Sequence, residues 1–365
     1  MMKKIMAYFS VFLLFFMIAN QVSAKAPSIT IEIKTNSAST YTTKNELSHK
    51  SFSKLLKNMD DDKIEILPNS DTYITYQKQK FLLDDQIGLV HIQRGERVQL
   101  SEPVWGIILK EVNRLKKQHY GSYKSWDEVN KLLPRYSKFE IIDLETGKRF
   151  KVQRRAGNYH ADVQPLTHDE TKTMKEIYNG KWSWRRRAIL IPIGKEKIAA
   201  SMHGMPHGGG ALVNGFPGHF CIHFKDSITH RSESMDLSHK LMALKAANKL
   251  DGFYSKLDPY ELADVFVASL NQKDQQLVRH TVWEEDIQSF RLQEKLINRI
   301  ELIKIEQMHR SHSFDNEFVR EIPVKIQYAV TNKREQKANV TILVSRSSLQ
   351  EPWKVHLEEF SSQLN

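Results

Sequence analysis

The sequence predicts an α+β protein built from several modules, and three observations carry that prediction. Stretches with the period-2 alternation of strands are interleaved with stretches of helical spacing along the whole chain. Turn and cap signals at Gly121, Ser125, Pro134 and Asp258 cut the chain into three parts. A length of 365 residues with 40% hydrophobic side chains supplies material for more than one core.

The N-terminus precedes these parts. Lys3 and Lys4 stand before an apolar run from Ile5 to Ala19, and Val22-Ser23-Ala24 has the small residues that a signal peptidase accepts. Residues 1–24 are therefore expected to be a signal peptide, with an uncleaved anchor as the alternative, and the mature protein is expected outside the cell. No later segment is long and apolar enough to predict a membrane span. The formal net charge is +11, and removing Lys3 and Lys4 with the leader lowers it to +9. A basic exported protein suits polyanions such as anionic wall polymers, although the same charge also serves solubility. Nothing in the chain reads as a nucleic-acid-binding module.

The first module, residues 25–124, is expected to be an α+β accessory domain. "ITIEIKT", "KIEILP" and "TYITYQ" alternate as strands, and "KNELSHKSFSKLLKNM" has helical spacing. "EPVWGIILKEVNRLKKQHYG" predicts an amphipathic helix stopped at Gly121. The second module, residues 125–250, opens with Ser125 and Glu128 at capping-box spacing, and Pro134 ends that short helix. "KFEIIDLETGKRFKVQRR" predicts a hairpin and "HDETKTMKEIYNG" a helix. "RRAILIPIGKEKIAASMHG" predicts two strands around Gly194, which deliver a loop rich in glycine and histidine. The third module, residues 251–365, begins with a helix capped by Asp258 with Pro259 at its first position. "PVKIQYAVT", "ANVTILVSR" and "PWKVHLEEF" predict strands after it.

The chemistry concentrates in "ASMHGMPHGGGALVNGFPGHFCIHFKDSITH", residues 200–230. It holds His203, His207, His219, His223 and His230, six glycines and the chain's single cysteine, Cys221. Glycines let the backbone approach a ligand, and a histidine beside a thiol can take its proton. Alternation in "HFCIHF" puts His219, Cys221 and His223 on one strand face and Phe220, Ile222 and Phe224 on the other. A buried, inert cysteine among apolar neighbours is the competing reading.

This block resembles the L,D-transpeptidases, the enzymes that cross-link peptidoglycan. That family carries an upstream histidine and then Ser/Thr-His-Gly-Cys, any residue, and Arg or Asn. Here 14 residues separate His203 from Gly218-His219-Phe220-Cys221-Ile222-His223, which matches the family's spacing. Gly218 replaces Ser or Thr, Phe220 replaces glycine, and His223 replaces Arg or Asn. The resemblance implies a β-rich catalytic domain with no cofactor. Cys221 would be the nucleophile that accepts an acyl group from a stem peptide, His203 the base, and His219 a positioning or oxyanion group. His207 lies in the same loop and competes for the role of base, while His223, Arg185 and Arg186 are candidates for substrate contacts. "WSWRRR", which contains those arginines, reads equally well as a solvated strand edge. The third module, a helix followed by long antiparallel strands, resembles the nuclear transport factor two-like cone fold, whose members bind partners or dimerise.

Two other functions fit the same residues. One is a peptidoglycan-binding protein that keeps the fold without the chemistry. The other is a zinc-dependent murein peptidase, with His160, Asp162, His219 and His223 as the ligands and His168 nearby. No His-Glu-x-x-His helix accompanies them.

Overall fold

The computed structural model describes residues 26–84, 88–229, 234–283, 286–310 and 317–364. The expected signal peptide and His230 lie outside these residues. The protein is a mixed α+β structure, with two open sheets and a closed barrel between them in the sequence.

The first sheet holds β1 (Ser28–Ile33), β2 (Thr43–Ser48), β3 (Met59–Lys63), β4 (Thr72–Tyr76), β5 (Gln79–Asp84), β6 (Gly88–His91) and β7 (Glu96–Val98), in the order β2-β1-β4-β5-β6-β7-β3. The helix α1 (Glu102–His119) lays Val104, Ile108, Val112 and Leu115 against β1 and β2. Two expectations fail here. The segment expected to be helical from Lys44 begins as the edge strand β2, which pairs antiparallel with β1 from Ile33↔Thr43 to Ser28↔Ser48. Backbone pairing overrides its side-chain spacing, and the helix that follows is a tight turn over Lys50–Asn58 that buries Phe52. In "KIEILP" only Lys63 is strand, because pairing with β7 runs upstream of it through Met59 and Asp60.

The barrel closes in the order β10-β13-β12-β11-β8-β9. Its strands are β8 (Lys138–Asp143), β9 (Arg149–Ala156), β10 (Ala161–Pro165), β11 (Arg186–Ile193), β12 (Glu196–His203) and β13 (Phe220–His223). The predicted hairpins β8–β9 and β11–β12 form as read. The helix α2 (Trp126–Leu132) starts with the expected capping box, and α3 (His168–Ile177) is capped by Thr167. Alternate residues of each strand fill the barrel, among them Ile141, Phe150, Val163, Ile191, Met202, Phe220 and Ile222.

Five helices follow: α4 (Leu237–Ala246), α5 (Leu250–Tyr254), α6 (Pro259–Gln272), α7 (Gln275–Arg279) and α8 (Ile287–Arg299). The last sheet is β14 (Ile300–Met308), β15 (Val319–Val330), β16 (Gln336–Ser345) and β17 (Lys354–Val355), paired in that order and followed by α9 (Leu357–Ser362). "PWKVHLEEF" is thus a two-residue strand and then a helix. Leu357 and Phe360, three positions apart, dock on the core, with the Phe360 ring 5.0 Å from that of Phe266.

The barrel interior has its own apolar cluster. A second, continuous cluster joins Ile31 and Ile108 of the first part, Leu190 and Ala199 on the barrel's outer face, and Phe266 and Ile342 of the last part. Helix α4 makes this junction by lying across β11 and β12. Beneath it, the fully buried Lys245 ammonium bonds Glu145 Oε1 at 3.0 Å and Asp274 Oδ2 at 2.5 Å. The same Glu145 reaches Arg187, whose guanidinium grips Asp143 in a two-pronged pair.

Candidate active site

Strand β13 carries Cys221, and its alternation falls as read. Phe220, Ile222 and Phe224 enter the barrel core, while Cys221 and His223 face the other way. Gly218, just before the strand, has φ +121°, and a Cβ there would meet the His207 carbonyl oxygen. This close approach lets the His207 and His219 backbones exchange hydrogen bonds of 3.0 and 2.9 Å, which ties the glycine-rich loop to the strand.

The thiol is only 7% exposed. Its Sγ lies 3.4 Å from His207 Nε2 and 3.5 Å from Asp162 Oδ1. Asp162 is there because β10 pairs with β13 in a register that sets Asp162 directly opposite Cys221. The His207 Nδ1 donates to the Met205 carbonyl at 3.2 Å, so Nε2 carries the lone pair that faces sulphur. His203 points its Nε2 at the Cys221 amide nitrogen, 3.4 Å away, and its Nδ1 at the Met205 amide nitrogen, 3.3 Å away. His219 donates from Nδ1 to the Gly209 carbonyl and stands 3.9 Å from Asp162 through Nε2. Trp184, 49% exposed, roofs the pair His203 and His207 at ring distances of 4.7 and 5.5 Å.

Behind the thiol, His160, His223 and His239 form a stack. The His160 and His223 rings are 4.5 Å apart and the His223 and His239 rings 3.9 Å, each pair nearly parallel. His160 meets an acceptor at each nitrogen, the Ile228 carbonyl at 2.8 Å and Asp162 Oδ1 at 3.1 Å. His239 bonds Ser201 Oγ at 3.0 Å. Neither His239 nor Trp184 was among the residues expected from the sequence. His239 lies outside the motif window on α4, and only the packing of that helix on β12 brings it in.

The electrostatics follow from burial. Burial pushes the Cys221 thiol well up, and the Asp162 charge and the S–H···O bond add to it, so the resting group is a thiol. Burial also acts to raise Asp162, but the His160 hydrogen bond and charge, His219 and the thiol overcome it and hold the carboxyl down at about 2. Burial lowers His207 below the usual histidine range, with the His219 charge adding, and lowers His203 to about 2, with Arg186 adding. The thiol therefore meets a neutral imidazole base. Asp162→Asn removes the negative charge beside sulphur while keeping the side chain's shape. It is expected to speed alkylation of Cys221 by iodoacetamide at pH 8 by roughly tenfold for each pKa unit recovered. An unchanged rate would show that burial alone sets the thiol.

The remaining candidates separate. Arg186 pairs with Asp236 at 2.6 Å, beside the site, whereas Arg185 turns toward Glu301 at 3.6 Å. His168 is exposed at the start of α3 and stands outside the cluster. The zinc quartet His160, Asp162, His219 and His223 does not form one compact group among the described residues. Instead Cys221 is the hub of three groups whose ligand atoms lie within 4.8 Å of one another: with His160 and His223, with His203 and His207, and with Asp162 and His219.

No known protein family matches the sequence, and no curated protein matches it.

Proposed function

We propose that the protein is an exported cysteine acyltransferase of the L,D-transpeptidase type, acting on peptidoglycan stem peptides. The observation that carries this reading is the 3.4 Å approach of His207 Nε2 to Cys221 Sγ, with the other ring nitrogen anchored on a carbonyl. The barrel is then the catalytic domain, and the first and last sheets are its accessory and cone-like binding domains. The leader pattern and the basic charge support a wall location.

Because the thiol rests protonated, the pair works by general base catalysis rather than as a preformed ion pair. His207 Nε2 takes the S–H proton as sulphur adds to the substrate carbonyl carbon. The tetrahedral adduct expels its amine, which receives that proton from His207, and leaves a thioester on Cys221. A second amine, or water, gives its proton to His207 and attacks the thioester, which regenerates the thiol. His203 holds the Cys221 backbone in place, and Trp184 offers a ring face at the entrance.

A second reading is favoured by the three Cys221-centred groups, which offer thiolate, imidazole and carboxylate ligands of the kind zinc takes. A bound cation would displace the thiol proton and offset the adjacent Asp162 charge.

Intact mass after incubation with a carbapenem, beside Cys221→Ala, tests the first reading. A stable adduct that the variant loses is the expected result. An unmodified protein whose thiol is intact would overturn it. Excess mass under native conditions, removed by a chelator, would then establish the zinc reading, and no excess a binding protein without chemistry.

A further inference from the structure

A second site stands on the other side of the strip that carries Trp184. Ser183, Arg185 and Arg186 line a cleft of about 850 Å³, while Trp184 between them packs on His203 and His207. The cleft lies where all three parts of the protein meet. The chain after β1, the irregular segment before β4, the start of β11 and the helices α6 to α8 all contribute to its walls. Its volume falls in the range of small-ligand pockets.

Three features define what fits. The first is charge: six lysine and arginine side chains face four carboxylates. Lys245 and Arg187 are consumed by the buried network with Glu145, Asp274 and Asp143. Arg185, Arg186, Lys273 and Arg279 remain as the cations of the walls, so the cleft suits a ligand with net negative charge. The second is a set of buried polar atoms without a protein hydrogen-bond partner: Thr35 Oγ1, Gln276 Oε1 and Arg186 Nε, all on residues of this cleft. Thr35 is only 3% exposed. Such atoms are costly unless something in the cleft completes them. They offer a hydroxyl, an amide acceptor and an N–H donor, which complement the C=O and N–H groups of a peptide backbone. The third is an apolar wall of Leu67, Tyr73, Ile287 and Phe290, which a lone inorganic anion would not use.

We propose that this cleft binds a short peptide ending in a free carboxylate. The carboxylate lies toward Arg185 and Arg279, and the peptide amides meet Thr35 and Gln276. The site is independent of chemistry at Cys221, so binding persists in a chain that cannot be acylated.

The test is calorimetric titration of the full chain carrying Cys221→Ala with an N-acetylated alanine tetrapeptide. Its C-terminal amide and inorganic phosphate serve as the other probes. The acid is expected to bind at least tenfold tighter than the amide, about 1.4 kcal/mol. Arg185→Glu is expected to weaken the acid at least tenfold and the amide little. Thr35→Val is expected to weaken both peptides several-fold without lowering the melting temperature, because the lost hydroxyl had no partner in the free protein. Equal affinity for acid and amide, or absence of binding at millimolar peptide, would overturn the proposal. So would phosphate binding as tightly as the peptide, which would mark a simple anion site. Loss of carbapenem acylation in wild-type protein would leave these binding results unchanged.

Discussion

Lys245→Met is expected to destabilise the protein by about 3–5 kcal/mol, the cost of breaking a buried pair by removing one partner. The substitution keeps the aliphatic volume but leaves Asp274 and Glu145 without the ammonium between them. Glu145 retains Arg187, whereas Asp274 loses a 2.5 Å contact while buried. Adding Asp274→Asn removes the stranded charge and keeps an acceptor for the Leu277 amide, so it is expected to restore part of the loss. Urea denaturation measures both. The same network predicts an acid limit. Lys245 first, against the opposing effect of burial, and then Arg187 hold Glu145 down at about 2. A carboxyl lowered on folding contributes stability that is complete above its ordinary range, near 4.5, and is lost as pH falls toward 2. The wild-type urea midpoint should fall across that window, and the Lys245→Met midpoint should fall less. Parallel curves would assign acid unfolding to other groups.

His207→Ala is expected to slow acylation of Cys221 by a carbapenem by roughly 10²–10⁴-fold, the range of a general base. The thiol at rest is protonated, so the base is needed in the acylation step itself. His203→Gln tests the other histidine. Its nitrogens face backbone amides rather than sulphur, so its substitution should lower the melting temperature more than it slows acylation. Stopped-flow acylation beside thermal melts separates the two. A greater kinetic loss for His203 than for His207 would reverse the assignment of the base.

Local signals were the legible part of the fold. Ser125 with Glu128 and Asp258 with Glu261 mark helix starts because the caps lie three residues apart in one turn. The edge strand β2 was missed because its side chains are largely exposed and it is specified by backbone pairing with β1. Helix α4, which binds the barrel to the remaining core, is buried over most of its surface and has no apolar stripe to reveal its register.

At the site, the sequence by itself determined the neighbourhood of Cys221. It placed the thiol and His223 on one strand face and put His203 and His207 at the ends of one short loop. The tertiary structure decided what the thiol meets. Strand register brought Asp162 opposite Cys221 across 59 residues of chain, and helix packing slid His239 onto His223. It also turned His207 rather than His203 toward sulphur. Periodicity reports how one element presents its faces. Which residues oppose one another depends on pairing between elements distant in the chain, and local spacing holds no record of that.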